Sequence, residues 1–207
     1  MRRYFLWWLL FIPLSAIAAP HIVVYGDSLS AGYGLPPGAD WVSLLRQRLQ
    51  RQKYNFTVVN ASISGETSRG GAYRIERTLR AQRPAIVIVE LGGNDGLQGL
   101  PLPATRRHLD AIIRACLRRR AQVLLVGMRL PPNYGESYTA PFQALYPALA
   151  KRYSIALTPF MLAGFAEDRR LFQADGIHPA AAAQPRILDN LWPALLPLLR
   201  NAQRAAN

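Results

Sequence analysis

The chain of 207 residues has one cysteine, two lysines, three histidines and only twelve acidic residues. A lone Cys116 excludes an intrachain disulfide and any zinc or iron–sulfur centre built on cysteine. With His21, His108 and His178 the only histidines, a catalytic imidazole has to be found by elimination. No internal repeat, low-complexity segment or linker divides the sequence, and its length leaves room for one domain. Nor is there a hydrophobic run of membrane-spanning length at the N-terminus, because Tyr4–Leu14 falls short of about 20 residues and contains Pro13.

Half the residues are apolar and 18% are charged, so a packed core is expected and general disorder is excluded. The formal net charge is +13, and all but Lys53 and Lys151 of the 25 basic residues are arginine. Such an excess invites nucleic-acid or anionic-membrane partners. Arg106, Arg107, Arg114, Arg118, Arg119 and Arg120, however, fall largely off the apolar stripe Leu109, Ile112, Ile113, Cys116 and Leu117, as a solvated helix face would. No aromatic residues interleave with them to stack bases. No nucleic-acid partner is therefore expected; a weak electrostatic attraction to membrane surfaces is.

Met1-Arg2-Arg3, the apolar Tyr4–Leu14 and the small residues Ala16-Ile17-Ala18 have the layout of a signal peptide cleaved before Ala19. This divides the chain into a signal peptide (1–18) and one mature domain (19–207), with a periplasmic or secreted location. An uncleaved anchor is the alternative. Loss of Arg2 and Arg3 lowers the net charge to +11. No cysteine follows the apolar segment to accept a lipid.

The remainder alternates two patterns. His21–Tyr25, Phe56–Asn60, Ala85–Glu90, Gln122–Gly127 and Ser154–Leu157 are short apolar, largely β-branched runs, as expected of strands buried on both faces. Trp41–Arg51, Ala104–Arg120, Ser137–Arg152 and Ala180–Arg200 show helical periodicity, with Pro193 and Pro197 expected to kink or break the last. This alternation predicts a three-layer α/β/α fold around a five-stranded parallel sheet.

In such a sheet ligands bind beyond the carboxyl ends of the strands. There the sequence places Gly26-Asp27-Ser28-Leu29-Ser30, Gly65, Gly92-Gly93-Asn94-Asp95, Pro131–Gly135 and, before the last helix, Asp175-Gly176-Ile177-His178-Pro179. Asp175 is three residues before His178 and is able to fix its tautomer, although Asp and Gly are equally common in a plain turn. Ser28 directly after a strand is a candidate nucleophile, or a helix cap; the Gly-x-Ser-x-Gly elbow is absent. The backbone of Gly65 and the amide of Asn94 are candidate oxyanion donors, or turn residues.

Taken together, in this order and spacing, the four blocks Gly26–Ser30, Gly65, Gly92–Asp95 and Asp175–Pro179 resemble the GDSL, or SGNH, hydrolase superfamily. Ser30–Gly34, Gly65–Gly70, Glu90–Gly96 and Leu130–Gly135 are similar to its branch of bacterial multifunctional acyl-CoA thioesterases (also proteases and lysophospholipases) and arylesterases. The resemblance covers essentially the whole mature chain and implies a flavodoxin-like SGNH hydrolase fold. It implies Ser28 as acylated nucleophile, His178 as general base and acid, and Asp175 as its partner. The backbone N–H groups of Ser28 and Gly65 and the amide of Asn94 would hold the oxyanion. It implies no metal and no other cofactor, a small-molecule acyl ester or thioester substrate, and a monomer. In similar enzymes the segment Gly96–Pro101 covers the acyl chain, which makes Leu97, Leu100 and Pro101 candidate substrate contacts, with Tyr134 and Pro131-Pro132 as an opposite wall. Ala180–Ala183 departs from the polar residues of close relatives, at the start of the last helix. A carbohydrate or aryl acetylesterase on the same fold is the alternative enzyme. The alternative of another class is a basic membrane-surface or nucleic-acid-binding module with a vestigial hydrolase fold.

Overall fold

A computed structural model describes residues 19–206; the predicted signal peptide, residues 1–18, lies outside the described residues. Five strands form one parallel sheet: β1 (His21–Gly26), β2 (Thr57–Asn60), β3 (Ile86–Glu90), β4 (Gln122–Val126) and β5 (Ala156–Thr158). Their order is β2-β1-β3-β4-β5. Isoleucine and valine fill the centre: Ile22, Val23 and Val24 of β1 pair with Ile86, Val87 and Ile88 of β3, and all six are fully buried. Branched side chains on both faces suit a sheet covered on both sides.

The connections are α1 (Ser28–Ala31), α2 (Trp41–Arg51), α3 (Ser68–Gln82), α4 (Gly93–Leu97), α5 (Leu102–Arg118), α6 (Glu136–Tyr153) and the closing α7 (Gln184–Ala206). Helix α2 packs against α7, while α3 packs against α5 and α5 against α6. With right-handed crossovers and a strand order that reverses after β2, these groups cover opposite faces of the sheet. The three-layer α/β/α fold expected from the strand–helix alternation is the one observed.

Three local differences have physical causes. Helix α3 carries no conspicuous apolar stripe because Gly71, Ile75 and Leu79 are its buried positions besides Ser68, among four arginines. Its stripe is thin because it lies close to the core: a methyl on Gly71 would come within 2.5 Å of Leu91 Cδ1. Helix α7 is not broken by Pro193 and Pro197. The lost backbone bonds are outweighed by Ile187, Leu188, Leu191, Leu195 and Leu199, all buried in the core. Residues Ala181–Ala183, expected in the same helix, form a separate 3₁₀ turn. Cys116 is fully buried on α5, and burial pushes its thiol pKa up to about 12.

Candidate active site

The order reversal leaves β1 and β3 as neighbours whose following segments lead to opposite faces, the place where doubly wound sheets open a crevice. From β1 the chain passes through Gly26 and Asp27 into α1. Asp27 caps that helix, its Oδ1 accepting the Leu29 N–H at 3.0 Å, and Ser28 is the first helical residue. Gly26 is required by close approach: a Cβ there would lie 2.8 Å from Ser30 Oγ and 2.9 Å from the Glu90 carbonyl oxygen. Beyond β2 the chain stays tied to this turn. The Ile63 N–H donates to the Gly26 carbonyl at 3.0 Å, and the Asn60 amide to the Ser30 carbonyl at 2.7 Å. Gly65, two residues on, has φ +79°, a conformation that favours glycine, and nothing stands within 4 Å of its would-be Cβ. Conformation rather than space selects it.

His178 arrives from the loop before α7. That loop is pinned by an antiparallel bridge between Phe172 and Pro179 and by the Gln173 N–H on the His178 carbonyl at 2.8 Å. Asp175 Oδ1 accepts the N–H groups of Ile177 (2.9 Å) and His178 (3.0 Å), closing the turn on itself. Asp175 Oδ2 lies 2.6 Å from His178 Nδ1, and His178 Nε2 lies 2.9 Å from Ser28 Oγ. With Nδ1–H donating to the carboxylate, Nε2 presents its lone pair to the serine hydroxyl. The His178 and Ile177 N–H groups, then the His178 ring, hold the Asp175 pKa down at about 2, so it stays charged at any working pH. Tyr33 lies against the imidazole, ring centroids 4.5 Å apart.

Asn94 is the second residue of α4, directly after β3. Its Nδ2 donates to the Glu66 carbonyl at 3.0 Å, in the residue after Gly65, and to Asp27 Oδ2 at 3.1 Å. The five residues singled out from the sequence thus meet at one edge of the sheet, joined by hydrogen bonds or by adjacent backbone.

Residues 24–185 match the GDSL-like lipase/acylhydrolase family. The chain belongs to this family. It is 48% identical over 182 residues to esterase TesA of Pseudomonas aeruginosa, covering 88% of this chain and 90% of that protein. It is 41% identical over 193 residues to thioesterase 1/protease 1/lysophospholipase L1 of Escherichia coli, covering 93% and 91%. A crystal structure of TesA superposes with a TM-score of 0.84 at 47% identity, covering 86% of this chain and 99% of that one. This GDSL hydrolase is therefore an enzyme of the esterase class, and the sequence-based family assignment agrees with the comparisons.

In the GDSL hydrolase the segment expected to cover an acyl chain is braced rather than loose. The Tyr134 hydroxyl donates to the Leu97 carbonyl at 2.9 Å, and that of Tyr138 to the Leu100 carbonyl at 2.7 Å. Leu97 and Leu100 are half-buried and Pro101 is exposed. Leu100 and Pro101 also border a cavity of about 310 Å³ with Arg69, Asp95, Ala104, Thr105, Arg107 and His108; Ser28 is not among its lining residues. His108 instead bonds Ser68 Oγ at 3.2 Å, and Ser68 donates through its N–H to Asp95 at 2.7 Å.

Several supporting residues went unrecognised in the sequence. Glu90 ends β3 fully buried, accepting the Ser30 hydroxyl at 2.6 Å, while its Oε1 has no partner. Burial, and then the nearby Asp27 charge, push the Glu90 pKa well up; burial raises Asp27 to about 6. A single glutamate closing the run Ile-Val-Ile-Val was the available signal. Arg74 pairs with Glu66 at 2.6 Å, donates to the Ala61 carbonyl at 2.7 Å and lies 4.0 Å over the Tyr25 ring. It thereby clamps the segment that carries Gly65, through contacts no local motif announces.

Proposed function

We propose that this enzyme hydrolyses fatty-acyl esters, lysophospholipids and acyl thioesters through an acyl-Ser28 intermediate. The Ser28–His178–Asp175 line of hydrogen bonds, at 2.9 and 2.6 Å, carries the reading. His178 Nε2 takes the hydroxyl proton as Ser28 Oγ adds to the acyl carbon. The carbonyl π electrons move to oxygen, where the N–H groups of Ser28 and Gly65 and the Asn94 amide stabilise the negative charge. Collapse expels the alcohol or thiol, which leaves with the proton from His178. Water then attacks the acyl-serine, its proton passing to Nε2, and the second collapse returns that proton to Ser28 and frees the carboxylic acid. Asp175 stays ionised and stabilises the imidazolium in both halves.

Support for an apolar substrate comes from the names of the relatives, esterase and lysophospholipase, and from the site's rim. Tyr33, Ile63 and Ile177 stand 53%, 51% and 49% exposed, and each lies in or beside a segment bearing a site residue. Leu97, Leu100, Pro101 and Tyr134 are the proposed acyl-chain contacts. Export after cleavage before Ala19, a mature domain of residues 19–207, a periplasmic or secreted location, a monomeric state and weak attraction to anionic membranes complete the reading. Export and location are supported by the N-terminal sequence layout, and membrane attraction by the net charge, while the monomeric state rests on the family resemblance alone.

A chain-length series of p-nitrophenyl esters tests it, with Ser28→Ala and His178→Ala alongside. The reading requires octanoate or longer to be turned over better than acetate, and both variants to lose activity. Preference for acetate would favour an acetylesterase, and wild-type turnover by both variants would remove the triad.

A further inference from the structure

The Asn94 side-chain amide has two hydrogens, and both are engaged: one on the Glu66 carbonyl, the other on Asp27 Oδ2. A backbone carbonyl and the Asp27 carboxylate only accept, so the amide nitrogen, not its oxygen, must face them. The two acceptors differ in how they are held. The Glu66 carbonyl belongs to a segment whose neighbours Ser64 and Gly65 are exposed. Asp27 is 2% exposed and fixed twice more: its Oδ1 takes the Leu29 N–H at 3.0 Å, and its own N–H donates to Glu90 Oε2 at 3.3 Å. Beneath it Glu90 also receives the Ser30 hydroxyl, so the carboxyl of β3, the turn after β1 and the amide of α4 form one hydrogen-bonded chain.

We propose that Asp27 is a positioning residue for the oxyanion site: its Oδ2 anchors one N–H of Asn94, fixing the plane of the amide so that the other N–H is aimed at the oxyanion. The inference rests on the reading of Asn94 as an oxyanion donor. In the resting enzyme the Glu66 carbonyl occupies the second N–H; when charge develops on substrate oxygen, that bond is the one given up, because the charged carboxylate is the stronger acceptor. Preorganisation of this kind removes the cost of turning the donor at the moment of reaction.

Asp27→Asn isolates the role. Asparagine keeps an oxygen for the Leu29 N–H, as a good helix cap does, and then presents an NH₂ to the NH₂ of Asn94. Asp27→Ser, which also caps, leaves Asn94 without its acceptor and serves where the asparagine variant fails to fold. Kinetics on a p-nitrophenyl ester, combined with Asn94→Ala in a double-mutant cycle, give the readout. Loss of one oxyanion donor costs about 10²–10³ in kcat. A lost anchor is expected to cost less, about 10–100-fold in kcat, with KM within about threefold. The double variant is expected to be no slower than Asn94→Ala alone, within about threefold. Multiplied losses in the double variant would overturn the proposal, as would wild-type kcat for both Asp27 variants. Full activity in Asn94→Ala would instead overturn the oxyanion reading on which it rests.

Discussion

Replacing Asp27 by asparagine should reverse in effect on stability between acid and alkaline pH. Burial is the dominant cause that raises the folded-state pKa of Asp27 from 3.8 to about 6, opposed by the Leu29 N–H and by His178. The folded protein therefore binds this proton more tightly than the unfolded chain does. Its contribution is fully present below about pH 3.8, declines as the pH rises, and is lost above about pH 6. At 1.36 kcal/mol per pKa unit the wild type forfeits about 3 kcal/mol in full, of which only about 0.5 kcal/mol is already gone at pH 4. Asparagine cannot ionise and escapes this loss, but strands one N–H of Asn94, a pH-independent cost of about 1–3 kcal/mol. The variant should thus be less stable than wild type at pH 4. By pH 8 the difference should move in its favour by about 2–3 kcal/mol. Urea unfolding followed by tryptophan emission, with Trp41 fully buried as reporter, measures it directly. A stability difference that is the same at pH 4 and pH 8 would refute the assignment of Asp27 as a carboxyl strained by burial.

Asp175→Asn should lower kcat by about 10³–10⁴ while leaving the fold intact, because the imidazole loses the acceptor that fixes its tautomer; activity within tenfold of wild type would argue against the triad. Since Asp175 is held at about 2, no acid limb from this group should appear in a kcat/KM profile between about pH 4 and pH 9. Arg74→Ala leaves the half-buried Glu66 unpaired and should cost about 1–3 kcal/mol by urea unfolding, with kcat lowered about tenfold as the Gly65–Glu66 segment loosens. Arg74→Lys should not restore either quantity, since one ammonium cannot serve Glu66, the Ala61 carbonyl and the Tyr25 face together. Cys116 should react with a thiol reagent only after unfolding, given its burial and a pKa of about 12; stoichiometric labelling of the native enzyme would contradict its place in the core.

The legible parts of the sequence were those whose physics is local. Strands such as Ile86–Glu90 are marked by consecutive branched residues, and α5 by apolar positions three and four apart. Ser28, Asn94, Asp175 and His178 stand in short glycine-marked segments after strands or before the last helix, where a sheet of this kind opens. Helix α3 is illegible in the sequence because two glycines and four arginines occupy positions where apolar residues usually declare a helix. The support beneath the site was hidden for another reason. Asp27 with Asn94, and Glu90 with Ser30, are separated by 67 and 60 residues, and only the parallel register of β1 on β3 brings them together. Tyr134 is legible as a candidate wall opposite the Gly96–Pro101 segment, but the hydrogen bond of its hydroxyl to the Leu97 carbonyl, across 37 residues, is a further role that no local pattern announces.

Covalent trapping tests the central claim most directly. The purified enzyme is incubated with a p-nitrophenyl alkylphosphonate, and intact mass, peptide mapping and residual activity are followed together. Nucleophilic catalysis by Ser28 predicts one adduct per chain, located on Ser28, with activity lost in proportion to labelling and no adduct in Ser28→Ala. An adduct at another residue, or full labelling of Ser28 with activity retained, would contradict it.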